Sequence, residues 1–173
     1  MNKKIIISVI IICLIMTSCS SNTDKYEKAK KLFIDESYYE SISEYYEKLN
    51  NSQKQKINNM ILEKVENKTW KSEESFIYTN YKNCEGNDYA KISKEYVELY
   101  VMCHEKNGDE QKEGYEKNST YFILDKIEDE KIQFQVGGIY IIIDKLNNIY
   151  LESQSVNSSE NYTISHHKFK VVE

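Results

Sequence analysis

Apolar residues along this chain fall in three textures. Residues 5–16 are apolar almost without a break, interrupted only by Ser8. From residue 24 to about 67 the apolar positions recur at helical spacing, in three short stripes. Tyr26, Ala29, Leu32 and Phe33 form the first, with Thr23 or Asp24 as its cap. Tyr38, Ile42, Tyr45, Tyr46 and Leu49 form the second. Ile57, Met60, Ile61, Lys64 and Val65 form the third, with Ser52 as its cap. Each stripe is too narrow to be buried alone, so the helices must pack against something. From Trp70 onward the period drops to two. Val97, Leu99 and Val101 alternate with Tyr96, Glu98 and Tyr100, which sends the two sets to opposite faces of a strand. Similar runs at 76–78, 89–92, 121–127, 131–136, 139–144, 149–152 and 162–172 predict seven or eight antiparallel strands, with turns at Asp129-Glu130 and Asn147-Asn148. The pattern predicts an α+β chain: short helices, then an antiparallel barrel-like or sandwich-like meander.

The first texture is an address. Met1-Asn2-Lys3-Lys4, the apolar run and then Thr17-Ser18-Cys19-Ser20 have the charged head, apolar core and small-residue end of an export signal. Twelve residues are too few for a membrane span, which needs about 20. The Met16-Thr17-Ser18-Cys19 end resembles the lipobox of bacterial lipoproteins. That resemblance implies a diacylglyceryl group on Cys19, removal of residues 1–18, and an extracytoplasmic protein held to the cell membrane or envelope by its acyl chains.

Removal of the signal takes Lys3 and Lys4, moving the formal charge from −5 to −7. All 23 basic residues are lysine, and proline is absent. An acidic chain without a basic cluster argues against a nucleic-acid partner. Cys13 leaves with the signal and Cys19 is the lipidation site, so Cys84 and Cys103 remain. In an oxidising compartment they form one bridge; the alternative is two free thiols.

No glycine occurs before Gly86, whereas Gly86, Gly108, Gly114, Gly137 and Gly138 all fall in the strand-like part. The expected organisation is a signal at 1–18, a helical hairpin region at 19–66 and a β domain at 67–173. The helical part resembles a single tetratricopeptide hairpin, with Glu36-Ser37 at the tight turn and Ser41 at the small-residue position. One such unit is too few for a repeat array. Asn67-Lys68-Thr69-Trp70-Lys71, with 139–151 and a terminal strand, resembles bacterial lipocalin-like domains. That likeness implies an up-and-down barrel holding an apolar cavity or a filled core, with Trp70 packed in its interior.

Catalytic constellations are poor. His166 and His167 are adjacent on one strand and face opposite ways, as do Cys103 and His104. No metal-ligand spacing occurs, so no metal, cofactor or catalytic residue is expected. A Cys103–His166 nucleophile pair is the remote enzymatic reading, and a calcium site at Asp125, Glu128, Asp129 and Glu130 loses to a solvated turn. Gly137-Gly138 reads as a turn between strands. The sequence therefore predicts a non-enzymatic, lipid-anchored protein whose β domain binds a small apolar or amphipathic ligand. The alternative is a protein-interaction or self-protection lipoprotein, sequestering a cationic peptide or engaging an envelope protein through an acidic, Tyr-rich surface.

Overall fold

The computed structural model describes residues 23–78, 84–104, 108–157 and 163–172, without the side chains of 154–157 and 163–166. Cys19 and the signal lie outside the described residues. The chain forms two compact units, residues 1–58 and 59–173.

The first unit contains helix α1 (residues 23–34) and a second helical run. That run starts as one α turn, α2 (Tyr38–Glu40), and continues as a π turn (Ser41–Tyr45) and a 3-10 turn (Tyr46–Lys48). Between α1 and α2, Glu36 adopts a left-handed φ of 62°. The Ser37 amide reaches back to the Leu32 carbonyl at 2.8 Å, which closes the C-terminus of α1 without glycine. The buried Ser41 hydroxyl donates to the Ala29 carbonyl at 2.7 Å, a close approach that only a small side chain permits. Helix α3 (Asn51–Val65) runs across the division between the units. Its cap is Asn50 rather than Ser52. The Asn50 Oδ1 accepts from the Gln53 amide at 3.0 Å while the Gln53 Oε1 accepts from the Asn50 amide at 3.1 Å. This reciprocal box satisfies two amides at once, which a serine two residues later cannot do.

The second unit is a curled, barrel-like antiparallel sheet of ten strands: β1 (Thr69–Ser72), β2 (Phe76–Tyr78), β3 (Cys84–Ile92), β4 (Tyr96–His104), β5 (Glu110–Ser119), β6 (Phe122–Ile127), β7 (Lys131–Val136), β8 (Ile139–Asp144), β9 (Ile149–Asn157) and β10 (Thr163–Val171). The order is β5-β4-β3-β1-β10-β9-β8-β7-β6, with β2 also on β3. Two meanders, β3 to β5 and β6 to β10, are thus joined through β1, and β5 and β6 are the edges. Curling brings those arms together. The turn at Gly137 lies so near β4 that a Cβ there would sit 2.8 Å from Val97 Cγ2, and Asn118 Nδ2 of β5 donates to the Gly137 carbonyl at 3.2 Å.

The concave face is apolar. Trp70, Ala90 and Val97 from one arm and Phe134, Ile141, Leu151 and Phe169 from the other are buried there. Trp70 packs in this interior, and its Nε1 donates to the Val65 carbonyl at 3.0 Å, fixing the end of α3 to the start of β1. Strand β5 is one the apolar pattern does not predict. Its ten residues, Glu110 to Ser119, include no aliphatic side chain, as suits a charged edge that discourages pairing with other chains. A bulge opposite Tyr100 admits the extra residue, with Gly114 at φ 56°.

Cys84 and Cys103 are joined in a disulfide across β3 and β4, with Cα atoms 5.5 Å apart. Gly86 faces Cys103 in the register. A Cβ at Gly86 would collide with the Met102 carbonyl, so glycine lets the strands close around the bridge. The loop spans 19 residues. Reduction, or the double change Cys84→Ala with Cys103→Ala, is expected to lower unfolding stability by about 3 kcal/mol in denaturant titrations.

Candidate binding site

The residues that interrupt the apolar concave face define the candidate site. Strands β1 and β2 are one strand broken at Glu73, Glu74 and Ser75, and both halves pair with β3. The break leaves backbone carbonyls of that segment without a ladder partner. Asn87 of β3 fills the gap: its Nδ2 donates to the Glu74 carbonyl at 2.8 Å and to the Ser72 carbonyl at 3.3 Å. The Ser72 hydroxyl donates to the Glu74 carbonyl at 2.7 Å and accepts from the Asp88 amide at 3.0 Å. This network turns β2 so that Phe76 and Tyr78 share a face with Gly86 and Cys84.

Asp88 lies on the same concave face, since its register partner is the buried Val101. The Tyr78 hydroxyl donates to Asp88 Oδ1 at 2.6 Å, a short charge-assisted bond. Burial pushes the Asp88 carboxyl above its ordinary value, against the opposing pull of the Tyr78 bond and of His167. His167 is opposite Ser153 in β9, and its ring meets Phe76 edge-on with centroids 4.2 Å apart. A carboxylate, a phenol, an imidazole and an aromatic ring therefore gather on the concave face, on which Ser72, Ser153 and Glu113 also fall by register. All four residues are partly exposed, so solvent reaches them. Such a polar group beside apolar walls orients an amphipathic molecule.

The sequence singled out some neighbours of this cluster and missed its centre. Cys103 is in the disulfide and is no nucleophile, and the side chain of His166 lies outside the described ones. His104 is on the opposite face, its Nδ1 3.3 Å from Glu110 and its Nε2 3.3 Å from Asn87 Oδ1. The acidic turn is a solvated one: Lys126 pairs with Glu128 at 2.9 Å and Lys145 with Glu130 at 3.4 Å. Among the described residues no group of three or more His, Cys, Asp or Glu is arranged to hold a metal ion. Asp88 escaped notice because Asn87-Asp88 reads as polar background in an Asn-rich chain. The signal that marks it is its place at a concave position, between Gly86 and Ala90.

The chain matches no family model, no curated protein and no solved structure. The site is therefore read from its own chemistry.

A second depression of about 310 Å³ opens among Asn67, Lys68, Thr69, Lys91, Tyr96 and Glu98. It is open rather than enclosed, with polar and apolar lining in similar shares, and suits a surface contact better than an enclosed ligand.

The raised Asp88 carboxyl has a measurable consequence. A buried acid whose folded pKa exceeds the unfolded one favours folding while protonated, and loses that contribution as pH rises through the folded value. Asp88→Asn, which keeps an acceptor for Tyr78, is expected to melt above the wild type at neutral pH. The difference should disappear below the ordinary carboxylate range. Melting midpoints of both proteins across pH 3–8 check this; an unchanged difference at every pH would contradict it.

Proposed function

We propose that this is a lipid-anchored, extracytoplasmic binding protein, non-enzymatic, whose lipocalin-like β unit holds a small amphipathic molecule. Its anchor is the acylated Cys19, and its ligand carries a cationic or hydrogen-bond-donating head. The observation that carries this reading is the Asp88–Tyr78 pair with His167 and Phe76 on an apolar concave sheet. An ammonium head accepts the company of a carboxylate and an aromatic ring, and an alkyl tail lies along the partly exposed rings of Phe76 and Tyr78. The lipobox resemblance supports the location. Among the described residues no helix is long and apolar enough to cross a membrane.

Two measurements test the halves separately. The acylated protein should partition into detergent and carry the mass of its acyl chains, and Cys19→Ala should lose that mass. In calorimetry on fragment 20–173, dodecylammonium below its micellar concentration should bind saturably, and dodecanoate much more weakly. Asp88→Asn should cost on the order of tenfold in dodecylammonium affinity, the scale of one charged hydrogen bond. Equal, unsaturable uptake of both amphiphiles by wild type and variant would defeat the ligand reading and leave the anchor untouched.

A further inference from the structure

The convex face of β1, β3, β4 and β5 carries a lysine-rich pattern that the acidic total charge conceals. One row across the strands reads Thr69, Lys91, Glu98, Lys117. The next reads Lys170, Lys71, Tyr89, Tyr100. Four lysines thus share two rows with a single carboxylate. Lys71 and Lys170 stand directly opposite each other, an arrangement that costs stability unless an anion lies nearby.

Two of these lysines, and Lys112 in the row beyond, rest on aromatic rings. Lys71 Nζ lies 5.6 Å from the centre of the Tyr89 ring, Lys112 4.0 Å from that of Tyr100, and Lys117 3.5 Å from that of Tyr96. Tyr89 and Tyr100 stack on each other at 5.3 Å, tilted by 11°. Tyr115 donates to Glu98 at 2.8 Å, which occupies the one carboxylate of the rows. Cation–π contacts of this kind hold ammonium groups in fixed positions and reduce the entropy lost when an anion meets them.

We infer that this face is a second membrane contact, docking on anionic lipid headgroups. The inference rests on the lipid anchor proposed above. Three features favour headgroups over a nucleic acid strand. The stacked rings and their lysine caps leave little open ring surface for bases, which single strands require. The cations are spread over a convex sheet face, as a planar array of headgroups demands, where a strand would need a groove. The proposed anchor also keeps a bilayer at hand in the same molecule. Docking is then an intramolecular event at high effective concentration. On the same face the carboxylates of Glu85 and Glu110 lie in the row beyond Asn87, Met102 and Lys112, with His104 3.3 Å from Glu110. Tyrosine suits the headgroup layer, with an apolar ring and a polar tip.

The test uses the acylated full protein on phosphatidylcholine liposomes with and without phosphatidylglycerol, and follows lysine acetylation by peptide mass spectrometry. Lys71, Lys91, Lys112 and Lys117 should acetylate about fivefold more slowly on the anionic liposomes, the scale of a lysine held at a charged surface. Lys94 and Lys145, both more than half exposed, are the internal reference and should not change. High salt should erase the difference. The double change Lys71→Glu with Lys91→Glu should leave flotation with phosphatidylcholine intact and abolish protection at Lys112 and Lys117; an unchanged melting midpoint shows that its fold is retained. Anchored protein whose lysines react equally on both liposomes would overturn the docking face while sparing the anchor. Protein that associates only with anionic liposomes and carries no acyl mass would keep the face and discard the anchor. Protein that floats with neither overturns both. Protection of the same lysines by added oligothymidylate, but not by phosphatidylglycerol, would assign the face to nucleic acid and overturn the lipid proposal.

Discussion

Strand β1, four residues long, is among the described residues the one strand that pairs with both meanders: Trp70 faces Ala90 of β3 on one side and Val171 of β10 on the other. Remove that double pairing and the sheet becomes two smaller ones, each with an open edge and half a core. Trp70 adds a third tie through its indole, which reaches back to the Val65 carbonyl. An indole N–H buried without a partner is costly, so this bond also sets where α3 must end relative to the sheet. The large apolar payload of one tryptophan is concentrated at the point where three chain segments meet.

The candidate site is a by-product of how β1 ends. The sheet cannot continue β1 straight into β2, and Ser72 and Asn87 replace the missing ladder with side-chain bonds. That substitution keeps Asp88 close to the break, inside the curl, where Tyr78 meets it. A carboxylate in such a place is expensive in free energy, and its partner hydrogen bond offsets only part of the cost. Polar groups kept at a cost on an apolar wall are what a ligand-orienting surface requires. The same strands present the opposite chemistry on their convex side, where alternation places lysine and tyrosine. Two faces of one sheet thus divide the proposed labours: one toward a small molecule, the other toward the bilayer.

Much of the architecture was legible as periodicity. The change from helical spacing to alternation near Trp70, and the hairpins at Asp129-Glu130 and Asn147-Asn148, are visible because burying one face forces the pattern. Asn147 does adopt a left-handed φ of 64°. What periodicity misses is structure stabilised without burial. Strand β5 forms because β4 offers it a ladder, not because it has an apolar face, so its sequence reads as loop. The cap at Asn50 was missed because a serine nearby is an equally good capping residue, and only the reciprocal bond to Gln53 decides between them. The Tyr78–Asp88 contact joins residues ten apart across a broken strand, and the break has no local signature. The lysine-rich face is hidden for a further reason: its rows draw on β10, β1, β3, β4 and β5, distant in sequence and adjacent only once paired.

The position of β1 also has a temporal meaning. Its partner β10 is the last of the described strands, roughly one hundred residues downstream, as in the pairing of Trp70 with Val171. Contacts between such distant segments slow folding, because a long loop must close before they contribute. A chain delivered N-terminus first holds β1 in place on β3 with one side bare until β10 arrives. A chain of this topology is therefore exposed longest at its centre, and loss of β10 alone would leave the middle of the sheet, rather than its rim, without a neighbour.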